Sequence, residues 1–434
     1  MISGSGSHRS WPQRTDVWLV IAVVLLAFCV RLAWALYSKA DPTDGRWDDS
    51  LLYHFLAIGI RDNFNYVNPF TGVPTGVWPP GYPTFLAGVY SLFGVSVVAA
   101  KVSQAVIGAL TVGGVYILGR QLFDRGAAGL AALLLAVMPG QIFFAGILWS
   151  EVLFTLLFVL SLIAIAALPN RPARERLAWA AATGLLIVAA AYVRETGLSL
   201  ILVAALYWGW SLRSWQASVR FAGVLALVVV LLIVPWAVRN SAQLDGLIVL
   251  SSSTGTNFWR GHHEGATGGF DSIDPLIDRS KPRDQPGGEA DAHQRGIREG
   301  LNFLVRNPVE EVKLMGAKVR LLYQGDTRGL TLAEAQGQLF LPDRLRTVLG
   351  LLADGVYYAV LVFAGLAVIR WAREGGSRPL LPALTIGIVT LGYLVFWGDP
   401  RFHFPLMPVF CLLAGWALST LVASVATRGS PRAA

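Results

Sequence analysis

Two adjacent carboxylates, Asp48 and Asp49, stand in the stretch RWDDSLLYH at 46–54, directly after a long apolar run. A carboxylate partly shielded from water can act as a general base toward a hydroxyl, an effect worth about 10²–10⁴-fold in rate. The same residue type also caps helix N-termini, where it satisfies free backbone N–H groups and suits the helix dipole. Capping needs one acid and leaves the second over. Both readings stand from the residue types alone.

Other ionisable residues punctuate the apolar sequence at separate turns. Glu151 follows Ser150 in GILWSEVLFTLLF, Arg194 and Glu195 share AAYVRETGLSL, and Arg401 lies in WGDPRFHFPLMP. Acids are rare at such apolar positions and usually functional, and a guanidinium fork matches a phosphate. The plain alternatives are a solvated Glu151 and a loop ion pair at 194–195. Arg260 lies in NFWRGHHEGATGG, and Lys313, Lys318 and Arg320 lie along 308–323. These cations suit either a phosphate contact or a headgroup-facing stripe. His262, His263 and Glu264 form the His cluster of the chain; adjacent His and Glu can share an ion, but no third ligand follows at a recognisable spacing. Loop polarity is the favoured reading there. Arg31 and Asp354 fall deeper in apolar runs, where snorkelling or a helix–helix pair accounts for them.

The elements that must hold these residues are membrane spans. Of 434 residues, 54% are hydrophobic and 14% charged, well below the quarter or so of charged residues in soluble domains. Apolar runs long enough to cross a bilayer fall at roughly 17–36, 99–119, 127–148, 152–168, 178–193, 197–212, 220–237, 346–369, 379–397 and 404–424. The fold class expected is an all-α polytopic membrane protein with about ten spans, in a range of 8–12. The first run reads as a retained signal anchor, being longer than a signal-peptide core and interrupted by Arg31. Cys29 and Cys411 lie in apolar runs and read as buried thiols.

Arginine sets the orientation. Arg120, Arg125, Arg171, Arg174, Arg176, Arg213, Arg220, Arg370, Arg373 and Arg378 fall on one side together with the N-terminus, which the positive-inside rule makes cytoplasmic. The candidate residues all fall on the other side, in a first loop at 37–98, in short turns, and in a second loop at 238–345. That second loop balances 13 Lys/Arg against 14 Asp/Glu, which argues against a nucleic-acid partner. Three units follow: an N-terminal transmembrane module (1–236) carrying the acidic pair, an outer loop domain (237–345), and C-terminal spans (346–434). In the first loop, DDSLLYHFLAIGIRDNF predicts an amphipathic interfacial helix, and PPGYPTFLAGVYSLFG predicts a turn and a second aromatic helix. In the second loop 269–288 reads as irregular, and 290–323 reads as two helices split at Asn307-Pro308.

In order, the acidic pair, PPGYPTFLAGVYSLFG, SEVLFT, RETGL, LSSSTGTNFWRGHHEGATG and RFHFPLMP resemble the GT-C superfamily of integral-membrane glycosyltransferases. The likeness is to the branch of protein O-mannosyltransferases and the lipid A aminoarabinose transferase. The resemblance runs from about 17 to 420. It implies transfer of a sugar from a polyprenyl-phosphate donor to an acceptor hydroxyl on the outer face of the cytoplasmic membrane, with inversion and a first-loop acid as base. Asp49 matches that acid, with Tyr53 one turn later on the same helical face; Asp48 matches after a one-residue slip, and the family commonly has Asp-Glu where this chain has Asp-Asp. Tyr53, Glu151, Arg194, Glu195, Arg260, Lys318 and Arg401 are the expected substrate-binding residues.

The residues themselves point the same way. An outward site has no nucleotide supply, and no cytosolic module is present to bind one. A donor activated inside and carried across on lipid meets that need, with a lipid, glycan or protein as acceptor. No cofactor is required on this reading; a divalent metal is an optional helper, with His262 and His263 the weak candidates. The competing class is a lipid-linked sugar or polysaccharide transporter, whose signature would be broken helices with polar groups at the midplane. A non-catalytic assembly scaffold is a third.

Overall fold

The computed structural model describes residues 14–44, 48–70, 72–244, 246–271, 288–336 and 340–428. In chain order the helices are α1 (Arg14–Tyr37), α2 (Asp49–Asn63), α3 (Gly81–Phe93), α4 (Val97–Leu122), α5 (Arg125–Val137) and α6 (Pro139–Phe143). There follow α7 (Glu151–Ala167), α8 (Arg176–Val193), α9 (Ser199–Leu212), α10 (Trp215–Leu244), α11 (Ser253–Arg260) and α12 (Gly288–Arg306). The chain closes with α13 (Pro308–Leu322), α14 (Arg328–Ala335), α15 (Asp343–Glu374), α16 (Leu380–Leu394) and α17 (Met407–Arg428). No strand forms among the described residues; Val67 and Pro74 share one isolated bridge. The protein is an all-α polytopic membrane protein, with eight described helices long and apolar enough to cross a bilayer. A bent pair, α5 with 139–146, makes a ninth, and α16 is a shorter apolar helix. All ten apolar runs are thus helical. The irregular stretch expected at 269–288 lies largely outside the described residues, as do Arg46 and Trp47.

One span departs from the clean rod that its hydropathy predicts. The 127–148 run turns by 55° between Val137 and Pro139. Proline explains the break, because it has no N–H for the carbonyl four residues back. That carbonyl is Leu135, and Arg31 supplies the missing donor. Its Nη2 donates to Leu135 O at 3.0 Å, and its Nη1 to Ala136 O at 2.9 Å and Ala27 O at 3.1 Å. Trp34, one turn on, donates Nε1–H to Phe143 O at 2.9 Å. Arg31, 1% exposed, therefore neither snorkels nor pairs with an acid. It caps a helix end where lipid offers no hydrogen bonds.

The predicted amphipathic helix of the first loop is α2, the aromatic one is α3, and the split at Asn307-Pro308 separates α12 from α13. The two long loops are tied together through Glu289 at the start of α12. Its carboxylate accepts from Thr75 Oγ1 (2.7 Å), Gly76 N–H (2.9 Å) and Ser252 Oγ (2.7 Å). A Cβ on Gly255 would sit 2.0 Å from His293 O, so the glycine lets α11 lie directly on α12. Residues 251–257 are thereby held over the first loop.

If Arg31 is a cap, Arg31→Met leaves two buried carbonyls without donors, each worth about 1–3 kcal/mol. Detergent-purified protein should melt several degrees lower, and Arg31→Lys should lose less. An unchanged melting temperature for the methionine variant would rule the cap out.

Candidate active site

The two acids of the first loop divide the roles that the sequence leaves open. Asp48 is the N-cap of α2. Its Oδ1 accepts from the Ser50 N–H (2.9 Å), the Leu51 N–H (3.4 Å) and the Ser50 hydroxyl. Its Oδ2 accepts from Gln336 Nε2 at 2.7 Å, which pins α2 to the end of α14. Asp49, the first residue of the helix, turns instead into a cavity of about 580 Å³. Tyr53, one turn later, lines the same cavity. It packs edge-on against Tyr82 at 4.9 Å and Trp78 at 5.9 Å, which is what the PPGYP turn contributes. Burial and the nearby Asp49 charge push the Tyr53 phenol well above its usual range, so it stays a neutral hydrogen-bonding group.

Arg401 reaches the cavity from the turn between α16 and α17. Asp399 fixes that turn by accepting the Arg401 N–H at 2.9 Å and Arg328 Nη2 at 3.2 Å. The Arg401 guanidinium then stands 3.5 Å from Asp49 Oδ2, at the outer limit of a hydrogen bond. Aromatic rings surround it: Trp149 at 4.8 Å, Phe402 at 5.1 Å and Trp397 at 5.3 Å. Its buried Nε has no hydrogen-bond partner among the described residues. A cation held by ring faces and left with an unused donor is poised for an anion.

Arg194 lines the cavity beside Glu195. Its Nη1 meets Glu151 Oε1 at 2.6 Å and Ser150 Oγ at 3.2 Å. Glu151, 1% exposed in its side chain, lies behind Arg194 rather than on the cavity wall, so it does not reach the substrate space that the sequence reading gave it. Arg260 does line the cavity; its Nη1 donates to Asn257 Oδ1 at 2.9 Å and its Nε to Asp271 O at 3.1 Å.

Lys318 and His262 do not. Lys318 is fully buried, and its three ammonium hydrogens have three acceptors: His262 Nε2 at 3.0 Å, Leu394 O at 3.1 Å and Glu311 Oε1 at 3.2 Å. His262 donates Nδ1–H to Phe258 O at 2.8 Å, which leaves Nε2 as the acceptor from lysine. Burial and the lysine charge lower the His262 pKa, and burial lowers that of Lys318. The cluster ties α11 and α13 to the end of α16. His263 stacks on Trp259 at 4.1 Å, with its Nε2 3.7 Å from Asp271. Among the described residues no three His, Cys, Asp or Glu side chains converge as a metal site.

The architecture has known counterparts. Residues 77–238 match the family model described as dolichyl-phosphate-mannose-protein mannosyltransferase. The oligosaccharyltransferase of Archaeoglobus fulgidus, solved with Zn and sulfate, superposes with a TM-score of 0.57 at 16% identity, over 94% of this chain and 50% of that one. The same archaeal protein with an inhibitory peptide and a dolichol-phosphate gives 0.52 at 16% identity, over 97% and 53%. The chain has the GT-C fold. It spans about half the length of that archaeal relative. ArnT of Cupriavidus metallidurans, bound to undecaprenyl phosphate, covers 97% of this chain and 82% of its own at 15% identity, but its TM-score of 0.46 carries no weight. No curated protein sequence matches.

Within this GT-C fold, several cavity residues were not singled out from the sequence, although most fall inside the quoted motifs: Ser150, Ser251, Ser253, Thr254, Asn257, Tyr393, Trp397 and Phe402. Small hydroxyls and scattered aromatics are too common in apolar chains to single out. The run LSSSTGTN was the available hint.

The division between the acids is testable by stability. Asp48→Ala removes a cap and should cost about 1 kcal/mol, seen as a lowered melting temperature. Asp49→Asn should melt with the wild type. The reverse ranking would mean that the roles are exchanged.

Proposed function

We propose that this protein is a membrane glycosyltransferase that moves a sugar from a polyprenyl-phosphate-linked donor to an acceptor hydroxyl. The observation that carries the reading is the juxtaposition of Asp49 with Arg401, a carboxylate and an under-bonded guanidinium in one cavity. The family model over 77–238 and the dolichol-phosphate seen in the archaeal relative support the donor class.

Asp49 takes the proton of the acceptor hydroxyl as its oxygen attacks the anomeric carbon. The bond from that carbon to the phosphate oxygen breaks, and the phosphate leaves with the electron pair. A single displacement of this kind inverts the anomeric centre. Arg401 stabilises the charge that gathers on the leaving phosphate, in a site where aromatic rings exclude water and strengthen the attraction. Arg194 assists with Nε and Nη2, which make no hydrogen bond among the described residues, while Glu151 holds its other end. The 3.5 Å contact between Asp49 and Arg401 holds the carboxylate in place until substrate enters between the two groups.

The loops that build the cavity and the arginine-rich turns, among them Arg120, Arg176, Arg213 and Arg370, fall at opposite ends of the spans. By the positive-inside rule the N-terminus is cytoplasmic, and the site opens on the outer face of the cytoplasmic membrane. The acceptor is a lipid, glycan or protein hydroxyl. A divalent metal is optional, because the arginines themselves neutralise the phosphate.

Asp49→Asn should lower turnover about 10²–10⁴-fold in a donor-consumption assay, with folding intact; wild-type turnover in that variant would sink the base assignment. Arg401→Lys keeps the charge and loses the planar fork, so apparent donor affinity should fall about tenfold or more. Activity should also survive exhaustive EDTA treatment. Loss on chelation, restored by one divalent ion, would overturn the metal-optional reading.

A further inference from the structure

The cavity has a second polar region, made of residues 251–257 and Glu195, that the displacement step does not use. Thr254 Oγ1 lies 2.8 Å from both Glu195 Oε1 and Oε2, and 3.0 Å from Ser251 O. A hydroxyl has one hydrogen, so three acceptors compete for it. No other hydrogen bond reaches the Glu195 side chain among the described residues. A carboxylate lining a largely apolar-walled cavity thus receives at most one hydrogen and is short of donors.

Asn257 supplies the complementary half. Its Oδ1 accepts from Arg260 Nη1 at 2.9 Å and Trp397 Nε1 at 3.4 Å. That fixes the amide, whose NH₂ makes no hydrogen bond among the described residues. An acceptor short of donors and a spare donor suit hydroxyl groups, which both give and take a hydrogen bond. The same cavity has an aromatic wall, with Tyr393 and Phe402 stacked at 4.9 Å and Trp397 edge-on to Phe402 at 4.8 Å. Such faces suit the C–H face of a sugar ring.

We propose that Glu195, held by Thr254, is the specificity residue of this site and accepts a hydrogen bond from one ring hydroxyl of the transferred sugar, Asn257 donating to another. The inference rests on the transferase reading above and adds to it the group that chooses the sugar.

The test uses full-length protein in detergent with citronellyl phosphates of glucose, galactose and mannose and their monodeoxy forms. Wild type should prefer one hexose over at least one of its monodeoxy forms by about 10- to 100-fold in kcat/KM, because the site then leaves a buried acceptor unpaired. The loss should appear in KM. Glu195→Gln and Glu195→Ala should bring that ratio close to one, whereas Arg401→Lys should weaken all donors and leave it intact. A ratio unchanged in both Glu195 variants, or a wild type indifferent to every deoxy position, overturns the specificity role and leaves the transferase reading standing. A wild type that consumes none of the probes overturns that reading, and this inference with it.

Discussion

Helix ends cannot go unsatisfied in an apolar surrounding, and that constraint decides what each polar side chain of this protein is for. In lipid or a packed interior, a free N–H or C=O costs kilocalories unless a side chain meets it. Arg31 answers the carbonyls freed by Pro139, Asp48 the start of α2, and Asp399 the start of the turn that presents Arg401. Lys318 closes α16 by binding the Leu394 carbonyl. Asp49, Glu195 and Arg401, whose buried Nε has no hydrogen-bond partner among the described residues, close no helix end in this way, and they line one cavity.

The same constraint explains why the break in the third span does not favour the transporter reading. In a transporter the freed backbone and nearby polar groups line a path for the cargo. Here the freed carbonyls are taken by a guanidinium that is itself buried. The break steers the chain instead. It turns 139–146 so that Trp149, Ser150 and Glu151 arrive beside Arg194 and Arg401.

Hydropathy made the spans legible, because length and apolar content are local properties that tertiary structure does not override. The helices α2, α3, α12 and α13 were legible for the same reason, from apolar periodicity and from Pro and Asn punctuation. The site was legible only in outline. Asp49, Tyr53, Arg194, Glu195, Arg260 and Arg401 do line one cavity, but residue type could not separate Asp48 from Asp49, since both are acids at a helix start. Lys318 was misplaced for a related reason: a buried ion cluster and a phosphate site use the same residues, and which one forms depends on partners distant in sequence. Glu289 carried no signal at all, although it joins residues more than two hundred positions apart.

Cavity chemistry follows from how the two long loops meet. The first loop brings Asp49 on α2, and the second brings the hydroxyls of 251–257 at the start of α11. Glu289 fastens one to the other through Gly76 and Ser252. The C-terminal spans close the arrangement from a third direction with Arg401 and its aromatic neighbours. No single segment therefore builds the cavity, and each of the three is positioned by a buried polar contact to another. That distribution accounts for the weakness of every motif taken alone and for the strength of their order. Each motif is the end of one helix, and the site exists only where the ends are held together.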